Sequence, residues 1–232
     1  MAKGLIGTSD TGSSFVRRPP RLGDEVYNAI YAQLMSLKIP PGGRISVDSL
    51  VRELGVSQTP IREALSRLEA LGLVVKTHLI GYSAAPQLDK DRLQQLYELR
   101  LLLEPFAAGR AAVNMTEEAI EALEKVDKDM RSARNDDPRL AYGEFAQSDS
   151  TFHDLIAIGS GNLLIHETLA RLHTHVHLFR LFFHARATTD ANDEHERIIA
   201  AIKQKDPAAA EAAMRDHIER SRKRFMMIFG SE

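Results

Sequence analysis

The stretch Leu54-Gly55-Val56-Ser57-Gln58-Thr59-Pro60-Ile61-Arg62-Glu63-Ala64-Leu65 decides how the first third of the chain is read. Gly55 is the C-terminal glycine expected of a helix that has just ended, Ser57 is a good N-cap, and Pro60 is tolerated in a first turn. Ile61, Leu65 and Leu68 then recur at i, i+4 and i+7, which predicts a helix over about residues 58–71 with one apolar face. Gln58, Thr59, Arg62 and Ser66 fall on the opposite side, and all four carry hydrogen-bonding groups. Upstream, Leu50, Val51 and Leu54 mark a short helix over about residues 47–54. Two short helices meeting at a tight glycine turn form a helix-turn-helix, whose second helix can enter a major groove.

On the N-terminal side, Val26, Ile30, Leu34 and Leu37 predict a helix over about residues 24–38, stopped by Pro40-Pro41-Gly42-Gly43. On the C-terminal side, Leu73-Val74-Val75 and Tyr82-Ser83-Ala84 read as two short strands around His78 to Gly81, the hairpin wing of a winged helix. Residues 1–20, rich in Gly and Ser and ending in Arg17-Arg18-Pro19-Pro20, cannot build a core and read as a flexible arm. That arm is either an inert tail or a basic strand touching phosphate. Residues 1–86 carry +3 and residues 87–232 carry −5, so a mildly basic head that suits a polyanion is joined to an acidic body.

The expected domains are therefore a winged helix-turn-helix over residues 21–86 and an all-helical domain over residues 87–232. The second shows at least six helical segments, with breaks near Asn114-Met115-Thr116, Asp136-Asp137-Pro138, Gly159-Ser160-Gly161, Thr188-Thr189-Asp190 and Asp206-Pro207. Thr116 with Glu118, and Ser160, read as helix starts. Short breaks between long helices imply an antiparallel bundle, so the fold class is mainly α.

Pro41-Gly42-Gly43-Arg44-Ile45, followed by the stretch from Leu54 to Leu65, resembles the winged-helix signature of GntR-type regulators. Glu98-Leu99-Arg100 with Glu104, Asp149 to His153, Glu194-His195, and His217 resemble the FCD ligand-binding domain of the FadR subgroup. This resemblance implies a homodimer whose paired winged helices read a palindromic operator in double-stranded DNA. It also implies an effector in the helical domain that changes operator affinity. The candidate DNA contacts are Arg44, Ser57, Gln58, Thr59, Arg62, Ser66, His78 and Gly81. Arg62 and Arg44 lead as groove and phosphate contacts, against the alternative of a solvated Arg62 in a helix salt bridge. Most relatives carry Arg where this chain has Gln58; Arg takes guanine whereas Gln pairs with adenine N6 and N7, so Gln58 is expected to alter or relax base preference.

Asp149 and His153 are four apart on one helix and share a stripe with Phe145 and Ile156, where apolar residues are expected. His195 precedes Ile198, Ile199 and Ile202, and His217 follows Ala213 and Met214, so both point inward and the four groups can converge in a bundle core. Each could also be a hydrogen-bonded core residue. The resemblance assigns these four positions to a metal site, and three imidazoles with a carboxylate suit a divalent transition metal: zinc first, with nickel, copper or manganese also open. Arg100 lies between Leu96 and Leu103 on an apolar face, so it needs an anion: either its i+4 neighbour Glu104 or the carboxylate of an organic-acid effector.

His173, His175 and His177 look like a metal tract, but on a continuous helix only His173 and His177 share a face. With Leu172, Val176 and Phe179 as the buried stripe, the three read as surface or pocket-rim residues. The run Arg220 to Arg224 reads as a solvated helix face near the negative end of the dipole. The chain has no Cys, which excludes disulfides, thiolate nucleophiles and cysteine zinc sites. With no signal-peptide pattern and no apolar run near the roughly 20 residues that span a bilayer, it is expected to be soluble, cytoplasmic and free of membrane.

A metal-dependent enzyme on the helical domain is the alternative class. The sequence offers no second general base of comparable strength, and it carries a DNA-reading head that an enzyme would not need. The expectation is a regulator, acting as a repressor, whose recognition helices leave operator spacing when ligand binds. A direct metal sensor is the alternative within that class.

Overall fold

The computed structural model describes residues 22–132, 138–181 and 187–230, and no helix among them is long and apolar enough to cross a membrane. The expected N-terminal arm lies outside these residues, as does the break at Asp136-Asp137.

Helix α1 (Leu22–Met35) buries Val26, Ile30 and Leu34. It stops three residues before the expected end, because the chain turns at Leu37 with φ 58. Helix α2 (Val47–Leu54) starts where the Ser46 side chain accepts from Ser49 N and ends at Gly55, whose φ of 66 is the left-handed conformation glycine permits. Helix α3 (Gln58–Ala70) follows, with Ile61, Leu65 and Leu68 fully buried against α1. Ser57 occupies the N-cap position, but its side chain makes no capping hydrogen bond.

The wing is β2 (Val74–Thr77) paired with β3 (Gly81–Ala84), and a short strand β1 (Arg44–Ile45) pairs with the other side of β3. The order β1-β3-β2 is antiparallel throughout, with Arg44 and Val75 both opposite Ser83. The sequence did not suggest β1: two residues are too few to show an alternation, and the strand forms because Ala84 N donates to Gly43 O at 2.8 Å beside the Pro-Gly turn. The wing strands also run to Thr77 and from Gly81, leaving a tighter tip than expected.

The remainder is helical: α4 (Lys90–Asn114), α5 (Glu117–Ser132), α6 (Pro138–Gly159), α7 (Leu163–Leu172), α8 (Thr174–Leu181), α9 (Ala187–Lys203) and α10 (Pro207–Met226), closed by a 3-10 turn. Helix α4 runs along α10, and Gly109 makes that approach possible: a Cβ there would stand 2.6 Å from Glu211 Cγ. Three local expectations are corrected. Asn162, not Ser160, caps α7, its side chain accepting from Leu164 N and Ile165 N, while Ser160 Oγ turns back to Ala157 O. Thr188 to Asp190 form the first turn of α9 rather than a break. The assumed continuous helix through His173, His175 and His177 does not exist, because His173 takes φ 47 and separates α7 from α8.

Two hydrophobic cores result, one gathering α1, α2, α3 and the sheet, the other gathering α4 to α10. Helix α8 lies between them. Val176 packs on the first core while Leu178 and Phe179 belong to the second.

Candidate functional site

The exposed face of α3 carries Gln58, Thr59, Arg62 and Ser66, with Ser57 just before it and Arg44 exposed on β1. His78 and Gly81 are exposed at the wing tip, beside Leu79 at 94% and Ile80 at 69% exposure, two apolar residues the sequence did not single out. Gln58 is already engaged: its Nε2 donates to Asp48 Oδ1 at 3.0 Å, and its Oε1 accepts from Arg62 Nη2 at 3.3 Å. Asp48 on α2 thus holds a side chain at the tip of α3, and Gln58 in turn fixes Arg62.

In the helical half, His153 from α6, His195 from α9 and His217 from α10 offer nitrogens within 4.8 Å of one another, and all three side chains are buried. Asp149 Oδ1 stands 3.3 Å from His195 Nε2 and 3.9 Å from His153 Nε2. The outer nitrogens face carboxylates. His217 Nδ1 donates to Glu194 Oε2 at 2.8 Å, and His153 Nδ1 lies 2.7 Å from Glu104 Oε2, off the line of an ideal hydrogen bond. Those carboxylates are held by arginines: Arg100 pairs with Glu104 through Nε–Oε1 at 2.5 Å, and Arg224 grips Glu194 with two contacts of 2.7 and 2.9 Å. Arg100 is 1% exposed, so of its two expected partners it has Glu104.

Burial alone would raise the Glu104 carboxyl, but Arg100 and His153 hold it well below its usual range. Burial likewise opposes ionisation of Glu194, yet Arg224 and His217 bring it down to about 2. Asp149 is also held well below its ordinary value against burial, first by His175. Burial pushes the His195 and His217 imidazoles down, and each is pushed further by neighbouring histidines. Both are therefore neutral near pH 7, the form that binds metal.

The chain matches "Bacterial regulatory proteins, gntR family" over residues 22–81 and "FCD domain" over residues 95–220. It is 32% identical over 204 residues to the HTH-type transcriptional regulator LutR of Bacillus subtilis, covering 78% of this chain and 90% of that one. The chain is a GntR-family transcription regulator with an FCD domain. A second relative, the probable D-xylose utilization operon transcriptional repressor of Paenarthrobacter nicotinovorans, is 27% identical over 202 residues, covering 85% of each chain. The solved structure of E. coli McbR/YncC shares the fold at a TM-score of 0.67, with 20% identity over 90% of this chain and 97% of that one. The family and its named relatives are transcription regulators rather than enzymes.

The residues of this FCD regulator fit a metal. His195 is wholly buried, and neither of its ring nitrogens makes a hydrogen bond among the described residues. Its ring is stacked on Phe152 at 4.1 Å between centroids, which fixes where those nitrogens point. The Nε2 atoms of His153 and His217 lie 3.2 Å apart, within hydrogen-bond reach of each other, so both are turned to the same point between them, where a cation could take both. Donors about 2.1 Å from one ion stand roughly 3 to 3.4 Å apart along the edge of an octahedron or tetrahedron, which the 3.2 Å between His153 and His217 and the 3.3 Å between Asp149 and His195 match, while Asp149 to His153 at 3.9 Å is wider.

Glu194, Arg224 and His175 have roles in the site that the sequence does not assign. Arg224 was taken for part of a solvated run, but it is half-buried and turned inward to Glu194. His175 was placed on the rim; it does line a cavity of about 260 Å³ with His153 and His173, yet its Nδ1 also donates to Asp149 Oδ2 at 2.8 Å. The dipeptide Glu194-His195 was the available signal for Glu194. His175 had none, because its direction depends on the left-handed turn at His173.

Proposed function

We propose that this regulator senses a small organic acid held beside a divalent metal in its helical half, and that occupancy sets the operator affinity of a homodimer. The observation carrying this reading is His195, an imidazole wholly buried with neither nitrogen hydrogen-bonded among the described residues, beside two other imidazoles and the Asp149 carboxylate. Asp149, His153, His195 and His217 would hold the ion, while Glu104 and Glu194 orient the two imidazoles they touch. A dication bound there supplies a Lewis-acidic position for one carboxylate oxygen.

Two spaces adjoin the centre, and size and charge favour different ones for the acid. The larger, about 260 Å³, presents Glu104 and Asp154 and repels an anion. The smaller, about 30 Å³, is lined by Arg100, Ser221 and Arg224 together with Asp149 and His217. Charge decides for the smaller, since desolvating a carboxylate demands guanidinium partners. Arg100 then shares its guanidinium between Glu104 and the acid, and the site widens on binding. The tight unliganded space, with Arg100 already paired, favours the second reading, in which the metal itself is the signal.

In the head, residues 21–86, Gln58, Thr59, Arg62 and Ser66 would face base edges, with Arg44, Ser57, His78 and Gly81 against the phosphate backbone. Gln58, held by Asp48, favours adenine over the guanine that Arg would take. Residues 87–232 form the sensing and dimerising half, and residues 1–20 the arm. Dimerisation is supported by α4, whose exposed Leu99, Leu102, Phe106 and Val113 fall along one helix face. Leu102→Glu should shift the protein from dimer to monomer in sedimentation; an unchanged dimer refutes this face. Ligand binding moves the paired heads out of operator spacing, which makes the protein a repressor working in the cytoplasm, where its operator lies.

The test is thermal shift with zinc, nickel, manganese and a panel of mono- and dicarboxylates, with and without chelator. A carboxylate present at about 100 times its dissociation constant stabilises by about 2.7 kcal/mol, and chelator should abolish that gain. Stabilisation by metal with no response to any acid would move the conclusion to direct metal sensing. No response to metal would refute both readings.

A further inference from the structure

His175 stands apart from the four expected ligands and is aimed at them. The left-handed residue His173 ends α7 and starts α8 in a new direction, which puts His175 in the first turn of α8 with its ring facing α6. There its Nδ1 lies 2.8 Å from Asp149 Oδ2, and its ring centroid is 5.1 Å from that of His153. Asp149, His153 and His175 offer donor atoms within 4.8 Å of one another, as His153, His195 and His217 do. The two groups share His153, and Asp149 reaches from the first to His195 in the second.

Other residues of α8, and the turn before it, touch the DNA-binding head. Gly72, just after the recognition helix α3, is so close to α8 that a Cβ there would lie 3.3 Å from the His173 ring and 3.7 Å from His177 Nε2. Val176 packs on the head's core, and Arg180 Nη2 donates to Ala85 O at 2.6 Å. Arg180 is 2% exposed, and its Nε and Nη1 find no partner among the described residues, so the backbone of the head is what holds it.

We propose that His175, with its ring hydrogen moved from Nδ1 to Nε2, is a fifth protein donor to the metal centre through Nδ1, and that through it metal loading fixes α8 against the end of the recognition helix. The inference rests on the metal-binding reading above. Five protein donors exceed a tetrahedral shell, so the centre favours an ion that takes five or six ligands over four-coordinate zinc, and one position of an octahedron remains for an acid oxygen. The signal then has a short physical route: Asp149 and His175 at one side of α8, Gly72 and Ala85 at the other.

The experiment titrates Co(II) into chelator-stripped full-length protein, reading affinity by competition with a chromophoric chelator and coordination by visible absorption. His175→Gln, which keeps a hydrogen bond to Asp149, should bind Co(II) about 10- to 100-fold more weakly with an altered spectrum. Free imidazole added to His175→Ala should restore the wild-type spectrum, which a packing role for the ring does not predict. His166→Ala removes a histidine paired with Asp154 outside the set and should change neither. Hydrogen exchange at residues 70–72 should slow on Co(II) binding in wild type and not in His175→Gln. Equal affinity and an unchanged spectrum in His175→Gln would overturn the donor role, and metal-insensitive exchange at residues 70–72 in wild type would overturn the link to the head. Wild-type protein that takes up no Co(II) would overturn the metal centre itself, and this proposal with it.

Discussion

The two halves of the molecule treat polar side chains in opposite ways. On the recognition helix, Gln58, Thr59, Arg62 and Ser66 face outward while Ile61, Leu65 and Leu68 are wholly buried. In the helical half, Arg100, Glu104, His153, Glu194, His195 and His217 all lie inside. The difference teaches that an ordinary amphipathic helix presents its polar groups to water by default, whereas a core that buries charge must hold each inward charge with another. Arg100–Glu104–His153 and Arg224–Glu194–His217 are two such chains, and they end at the same pair of facing nitrogens.

The largest effect that would break this comparison is in the first chain. Glu104→Ala leaves Arg100 buried without its carboxylate and His153 without its outer partner, which should cost about 3–5 kcal/mol. Glu104→Gln keeps the shape and should cost less. Urea denaturation followed by circular dichroism measures both; a loss below about 1 kcal/mol for Glu104→Ala would mean that the buried charges are not mutually dependent.

This asymmetry also explains what the sequence could be made to tell. The head was legible to within a few residues, because its helices alternate apolar and polar positions at one period and its turns carry Gly55 and Pro60. Only β1 was invisible, since a two-residue strand has no pattern. In the helical half the inward positions of Asp149, His153, His195 and His217 were legible as polar residues on apolar stripes. Their partners were harder. Glu194 sits beside His195 in sequence yet serves His217, and Arg224 lies within a basic run in which Arg220 and Lys223 are exposed. His175 depends on the turn at His173, which periodicity could not reveal because Leu172, Val176 and Phe179 continue the apolar stripe as though no break occurred.

A smaller effect sharpens the comparison at the seam between the halves. His177 faces Arg180 and His173, and burial first, then the Arg180 charge and the neighbouring imidazole, lower its own imidazole to about 4 from an ordinary 6.5. An unfolded chain therefore takes up a proton between about pH 6.5 and 4 that the folded chain refuses, so the stability tied to neutral His177 is whole above that window and lost as pH falls through it. Glu194, held at about 2, loses its contribution only as pH falls below its ordinary 4.5, so most of the His177 window lies above the Glu194 one. Melting temperatures from pH 7 to 4.5 should fall more steeply for wild type than for His177→Gln. Parallel curves would show that the seam does not sense this proton.

The smallest effect is expected where charge meets water. Arg67 on α3 reaches Asp24 on α1 at 2.9 Å, and its guanidinium lies 4.1 Å over the Tyr27 ring. Both members of the ion pair are about half exposed, so the pair should contribute less than about 1 kcal/mol. Stacking on the ring adds about 0.5–1 kcal/mol. Salt separates the two contributions, since the exposed ion pair is screened near 1 M and the ring contact is much less so. Arg67→Gln should thus cost about 1 kcal/mol at low salt and roughly half that at high salt, by denaturant midpoint. If it cost as much as Glu104→Ala, exposure would not be what distinguishes the two halves, and the contrast between a solvated helix face and an interlocked polar core would have to be abandoned.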